Sequence, residues 1–364
     1  MNYGYELIET GVVLDENVGG HLPCVAKALD GSIVVQFNTG VDGYPGSIGY
    51  VIKSYDGGRT WRYPIKKILE NSSSNGAIHT NIGLTTFSNG NMILPFSKAE
   101  LKNGYLGFPN PFHSGYADSD VHVILSSDNG NTWGPWISAN GNTSGQNPCS
   151  SAFGRVVEFP DGRLILPMWA FWNWFTLDSH PAPTYSGFVI STDMGQTFGP
   201  FQWVGDYGEM SLLLLSDQQT LLGVCKKNNA PSSPRIIKST DMGQTWIEIN
   251  TNFQGSRKNA SLHLSPHGVA MLLSSQTGEA IGGSSIIEIS QDEGLTWEGA
   301  FTVKAPVYDP GRSSYGLSAV NLDNEKILIV FEAHDPRKIE YGGSPWTSTR
   351  TYLAYNIVKE LVLL

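Results

Sequence analysis

The sequence predicts an all-β fold, a six-bladed β-propeller of four-stranded antiparallel blades whose ring is closed by the N-terminal strand. Three observations carry that expectation. An octet of the form Ser-x-Asp-x-Gly-x-Thr-Trp/Phe recurs five times, and an apolar strand–turn–strand hairpin recurs six times, once ahead of each octet and once more near the end. The composition, with 41 Gly, 20 Pro and 11% aromatic residues, suits many short strands joined by tight turns.

The octets begin at Ser54, Ser126, Ser191, Ser239 and Ser290. One chance match is expected on the order of 10⁻³ to 10⁻⁴ times in a chain this long, so five mark a repeated architecture. Each has the chemistry of a tight hairpin. The Asp carboxylate accepts from backbone N–H groups further on, the Gly supplies a positive φ, and the closing aromatic opens the next strand and packs between units. Five equivalent aspartates would mean five equivalent calcium or catalytic sites, whereas five turns need only a repeat; the octets are read as scaffold.

The six hairpins read CVAKALDGSIVVQF (24–37), IGLTTFSNGNMILPF (82–96), RVVEFPDGRLILPMW (155–169), SLLLLSDQQTLLGV (211–224), SLHLSPHGVAMLL (261–273) and SAVNLDNEKILIVFE (318–332). Hairpin plus octet hairpin gives four strands per unit. The predicted blades lie within a single domain over 1–364, at roughly 15–70, 71–143, 144–205, 206–252, 253–305 and 306–364. The strand near Glu6 to Leu14 completes the last of them.

At 364 residues the chain can bury a large core. No apolar run reaches the ~18–20 residues of a membrane span, and the start Met1-Asn2-Tyr3-Gly4 lacks the pattern of a signal peptide. The expected compartment is the cytoplasm, or the exterior if a leader has been removed. Cys24, Cys149 and Cys225 show neither a disulfide framework nor zinc spacing, and no cofactor or metal is expected. A net charge of −10 argues against nucleic-acid partners and gives an acidic substrate no long-range attraction. Nothing in the sequence fixes the oligomeric state.

Two units carry insertions between their second and third strands. One runs from Ser97 to Asp120, and the other begins Trp169-Ala170-Phe171-Trp172. Long loops in a compact fold carry function. Trp169 and Trp172 are therefore candidate stacking surfaces for the C–H faces of sugar rings, or else caps on the core.

In a propeller the innermost strand of each blade runs along the axis, so its first residue stands at one mouth of the central channel. Counting back about nine residues from each hairpin turn lands on His21, His79 or Thr80, Ser151, Glu209, the Arg257–Asn259 stretch and Tyr315. These are polar or ionisable, with apolar residues following them. Such convergence describes a site.

Octets of this kind in a six-unit chain resemble the sialidase superfamily and its Asp-box, or BNR-repeat, propellers. That resemblance covers nearly the whole chain. It implies a tyrosine nucleophile paired with a glutamate, an aspartate acid/base in the first blade, and three arginines that clamp a substrate carboxylate. Tyr315 matches the nucleophile, Glu209 the glutamate that activates it, and Glu332 the glutamate that supports an arginine; Asp42 is a looser match to the acid/base. A phenol near pKa 10 needs such a carboxylate to take its proton at neutral pH. The clamp is not matched. Gly20-His21-Leu22-Pro23 stands where sialidases have Phe-Arg-Ile-Pro, the second position is Lys226 or Cys225, and the third reads Gly282-Gly283-Ser284-Ser285. Lysine cannot reproduce a bidentate guanidinium fork.

The candidate substrate-binding residues are therefore His21, His79, Lys226, Trp169 and Trp172, with Arg155, Arg235, Arg257 and Arg312 as alternative cations. Three readings stay open, all with carbohydrate as partner. The first is a sialidase-like exo-glycoside hydrolase on a sugar other than sialic acid. The second is a lyase or atypical glycosidase on uronate-containing glycans, using His21 or His79 as base and Tyr315 as acid. The third is a non-catalytic glycan-binding propeller.

Overall fold

The computed structural model describes residues 2–15, 20–39, 46–73, 76–80, 82–101, 117–139, 149–171, 184–227, 230–253, 256–277, 285–306, 313–334 and 351–363. They form six antiparallel sheets, and each sheet is one blade. From the axis outward, blade one is His21–Lys27, Ile33–Asn38, Ile48–Ser54 and Arg62–Glu70. Blade two is Gly76–His79 with Thr85–Thr86, then Met92–Leu101, Ala117–Ser126 and Ile137–Ser138. In blade three Cys149–Ala152 and Val157–Glu158 lie innermost, followed by Leu164–Phe171, Thr184–Ser191 and Gln202–Gly205. Blade four runs Tyr207–Leu214, Leu221–Lys227, Ala230–Ser239 and Ile247–Ile249, and blade five Ser256–Leu264, Ala270–Thr277, Ser285–Ser290 and Glu298–Thr302. Blade six is Ser313–Asn321, Lys326–His334, Thr351–Leu363 and, outermost, Asn2–Leu14.

The N-terminal strand pairs from Asn2 opposite Leu363 to Leu14 opposite Leu353, so the closure is longer than the stretch expected from the sequence. A buried carboxylate fastens it. The Tyr5 hydroxyl donates to Glu360 Oε1 at 2.9 Å, and Ser265 of blade five donates to the same oxygen at 2.6 Å. The insertions are also shorter than the sequence suggested. Strands run through Leu101 and from Ala117, and Trp169 to Phe171 belong to the second strand of blade three.

The core is divided among the blade junctions. Strand alternation gives every blade two apolar faces, and each of six buried clusters joins one face to its neighbour. One example is Val34 and Val51 against Met92, Leu94 and Phe96 between blades one and two; another is Val25, Val35 and Phe37 against Leu328, Val330 and Leu353 between blades one and six. The octet aromatics take part as expected, since Trp61, Trp133, Phe198, Trp246 and Trp297 each pack into the junction with the preceding blade.

The octets are turns on the face away from the mouth. In the first, Asp56 Oδ1 accepts from Thr60 N at 2.9 Å and from the Ser54 hydroxyl at 2.7 Å, and Oδ2 accepts from the Thr60 hydroxyl at 2.6 Å. Partial burial pushes the Asp56 and Asp128 carboxyls up, but hydrogen bonds from Thr60 and Thr132, with backbone and serine donors, outweigh it and hold both at about 2. Every oxygen is committed to the loop, so the octets are structural. The turn is tighter than the sequence revealed. Asn129, Met194, Met242 and Glu293, each just before the octet glycine, also have positive φ, at 60°, 58°, 61° and 56°.

At each junction a small side chain also bonds the neighbouring blade. Ser318 Oγ accepts from Val25 N at 3.1 Å, Cys24 Sγ from Leu84 N at 3.0 Å, Ser97 Oγ from Ala152 N at 3.2 Å and Ser211 Oγ from Leu262 N at 3.3 Å. Ser186 donates to Gly208 O at 2.7 Å and Ser261 to Leu317 O at 3.0 Å. The ring of blades is thus pinned by hydroxyls and one thiol, which satisfy inner-strand backbone groups that the sheets leave unpaired.

Candidate functional site

The inner strands do not run straight into the mouth. Just inside it, register shifts occur between His21 and Cys24, Gly208 and Met210, Lys258 and Ser261, and Tyr315 and Ser318. Leu22, Ile82 and Asn259 have φ of 50°, 51° and 48° there, and Gly154 and Gly316 have 84° and 68°. A left-handed Leu or Ile costs roughly 1 kcal/mol or more and marks a place where the fold imposes geometry. Each such bulge re-aims the residue before it. Gly316 has two reasons to be glycine, because a Cβ there would also meet Leu22 Cα at 3.0 Å.

These bulges set the candidate residues at one end of the channel. Tyr315 stands in register opposite Glu332, on the adjacent strand of blade six. Glu332 is buried and reaches blade one, where its Oε1 lies 3.1 Å from His21 Nδ1 and its Oε2 accepts from Leu22 N at 3.2 Å. His21 Nε2 lies 3.3 Å from the Thr351 hydroxyl. His21 therefore occupies the place on Glu332 that the sequence resemblance gave to an arginine. Thr351 has no counterpart in the sequence reading.

Glu209 sits on the blade-four bulge, and its Oε2 lies 2.6 Å from Lys226 Nζ in a partly exposed ion pair. His79 is buried at the end of its strand. Next to it the Thr80 hydroxyl accepts from Asn38 Nδ2 at 2.8 Å, and Asn38 is itself the cross-strand partner of His21. Asp42, Arg312 and Trp172 lie outside the described residues. The segments that flank them, ending at Thr39, Phe171 and Ser313, reach the mouth end of blades one, three and six.

Four sequence candidates lead elsewhere. Arg257 is drawn away from the axis by a buried bidentate pair, Nε and Nη2 each 2.9 Å from the Glu288 carboxylate on the third strand of blade five. Arg235 is on the third strand of blade four, with Nε 3.4 Å from Glu248 of the outermost strand. Trp169 is 6% exposed and packs with Ile78, Phe96 and Phe153, so it caps the core instead of offering a stacking face. Arg155 lies below the mouth inside the channel, where its Nη2 donates to Val25 O at 2.6 Å and also to Ser318 Oγ and Ala319 O. One guanidinium thus ties blade three to blades one and six. Counting back from the turns misleads for Arg257 because it fixes position along a strand and not the side to which a side chain turns; Arg155, Arg235 and Trp169 stand out in the sequence by their residue type alone.

The Arg155 charge has consequences further down the channel. His263 is buried there, with Nε2 2.8 Å from Asn321 Oδ1. Burial, joined by repulsion from Arg155, pulls its pKa down to about 3, against the opposing hydrogen bond to Asn321. Below the unfolded value of about 6.5, the unfolded chain takes up a proton that the fold refuses until about pH 3. Stability is therefore fully present above pH 7 and falls as the pH drops from there toward 3. Thermal melts at pH 7, 6, 5 and 4 are expected to show a steeper loss for the wild type than for His263→Gln; parallel slopes would refute this assignment.

No protein-family model and no curated protein matches the chain. Solved structures do. A Dyadobacter fermentans protein described as of unknown function superposes with a TM-score of 0.75 at 18% identity, covering 98% of this chain and 99% of its own. The Hadza microbial sialidase Hz136 gives 0.73 at 16% identity, over 96% of this chain and 68% of that one. Trypanosoma rangeli sialidase in complex with sialic acid gives 0.66 at 14% identity, over 98% of this chain and 59% of that one. The chain thus has the six-bladed propeller fold found in sialidases. At these identities the likeness concerns the fold.

Proposed function

We propose that this chain is a glycan-acting propeller, a sialidase-like exo-glycoside hydrolase in which Tyr315 is the nucleophile, Glu209 its base and Asp42 the acid/base. The observation that carries the reading is the joining of blades one and six at the mouth: the Tyr315 backbone is the cross-strand partner of Glu332, and Glu332 holds His21 at 3.1 Å. In the first step the Tyr315 oxygen bonds the anomeric carbon as the glycosidic C–O bond breaks. The phenolic proton passes to Glu209, and Asp42 protonates the leaving oxygen. Water then attacks the same carbon, giving its proton to Asp42, and the tyrosyl oxygen leaves and recovers its proton from Glu209. Anomeric configuration is retained over the two displacements.

Glu209 is held against Lys226 at 2.6 Å, so the ammonium orients the carboxylate that must receive the proton. The second reading is the lyase, with His21 or His79 as base and Tyr315 as acid; there the Glu332 carboxylate, 3.1 Å from His21 Nδ1, would hold that ring in place. A panel of 4-methylumbelliferyl glycosides tests the proposal. Fluorophore release from at least one member, with no product absorbing near 235 nm from uronate-containing glycans, is expected. An unsaturated uronate product would favour the lyase, and saturable binding without turnover the non-catalytic propeller.

A further inference from the structure

We propose that Arg155 holds a small inorganic anion, chloride in ordinary salt, inside the central channel below the mouth. This site does not depend on the chemistry of the mouth. The Arg155 guanidinium is a full positive charge that no carboxylate of the described residues neutralises. Its hydrogen bonds all leave from Nη2, to Val25 O at 2.6 Å, to Ser318 Oγ at 3.3 Å and to Ala319 O, and every acceptor is neutral. The titratable groups that feel the charge are Cys24 and His263, and neither supplies a counter-ion. Burial pushes the Cys24 thiol up against the pull of Arg155, and burial with the Arg155 repulsion keeps His263 neutral. Glu332, Glu209 and Glu288 are engaged elsewhere, by His21, Lys226 and Arg257.

The guanidinium also has donors to spare. Nε and Nη1 have no acceptor among the described residues, and neither nitrogen is among the atoms sealed from solvent without a partner. The chain packs around Arg155, yet the side chain keeps accessible surface. Because its Nη2 reaches from blade three to blades one and six, that surface lies in the lumen. A water molecule there would satisfy the N–H groups but leave the charge without a counter-ion, which is costly in a surround of low dielectric. A halide does both, and it accepts N–H donors from any direction. A lumen that one side chain can cross suits a single ion better than a polyatomic one. The net charge of −10 opposes anions only at long range, and salt screens it beyond about 8–10 Å.

The test is diffraction at the bromine edge from crystals of the full chain soaked in sodium bromide. The expected result is an anomalous peak in contact with Arg155 Nη1 or Nε, weakened when chloride is added in excess. In parallel, melts of the wild type in sodium chloride should exceed those in sodium gluconate of equal ionic strength, gluconate being too large for the lumen. The expected rise is saturable and about 2 °C or more. Arg155→Gln, which keeps an amide donor and removes the charge, should melt alike in both salts; if it does not fold, the diffraction result decides. Bromide found on surface lysines and not at Arg155, an adventitious ion only, would overturn the proposal, and so would wild-type melts that respond equally to the two salts. None of these outcomes bears on turnover at the mouth.

Discussion

Tyr315→Phe is expected to lower kcat by three or more orders of magnitude while ligand affinity changes by no more than a few-fold. The substitution removes one oxygen and keeps the ring, and it leaves the Gly316 bulge, with its φ of 68°, in place. Ground-state binding by the rest of the mouth should persist, because the lost interaction is a covalent bond formed only along the reaction. The measurement is kcat and KM on the best aryl glycoside of the panel, with calorimetry on the same variant. Substantial residual hydrolysis would remove Tyr315 from the role of nucleophile. Loss of binding together with turnover would make it a structural member of blade six.

Arg155→Ala should be the most destabilising single change inside the channel, by about 3 kcal/mol. Truncation leaves Val25 O and Ala319 O facing the channel without their donor and removes the link from blade three to blades one and six. Each stranded acceptor costs about 1–3 kcal/mol, and relief of the buried charge offsets part of that. Burial lowers the Arg155 pKa, yet guanidinium is so basic that it stays charged. Arg155→Lys keeps the charge, but the three acceptors surround a single nitrogen, Nη2, at the far end of the side chain, which the shorter lysine does not reach without a shift, so it should recover only part of the loss. Urea denaturation with an unchanged m-value is the appropriate measurement. A shift of less than about 0.5 kcal/mol in Arg155→Ala would contradict the role as a pin.

Much of this molecule was legible in its sequence because repetition carries information that single motifs do not. Five octets and six hairpins gave blade number, strand order and the N-terminal closure, and they placed the octet aromatics in the blade junctions. The mouth was legible only by position. His21 opens its inner strand and Glu209 and Tyr315 each lie third in theirs, but Arg257 turns back toward Glu288 and Trp169 turns into the core. Side-chain direction at the mouth depends on the bulges, and those lie at residues such as Leu22 and Ile82 whose types do not advertise a positive φ. Arg155 read as a candidate substrate cation because its acceptors are backbone carbonyls 130 and 164 residues away, which no local pattern encodes. The pairing of His21 with Glu332 was half visible. Both residues stood out, but their contact across 311 residues exists only once the ring closes.

The most direct test of the account is to trap the intermediate. The chain would be incubated with an activated fluoro-glycoside of the sugar it turns over best, digested, and its peptides mapped by mass spectrometry. The account predicts one added glycosyl mass, on the peptide carrying Tyr315 and absent from Tyr315→Phe. A label on Glu209, Asp42 or another carboxylate, or steady turnover with no covalent adduct at all, would contradict it.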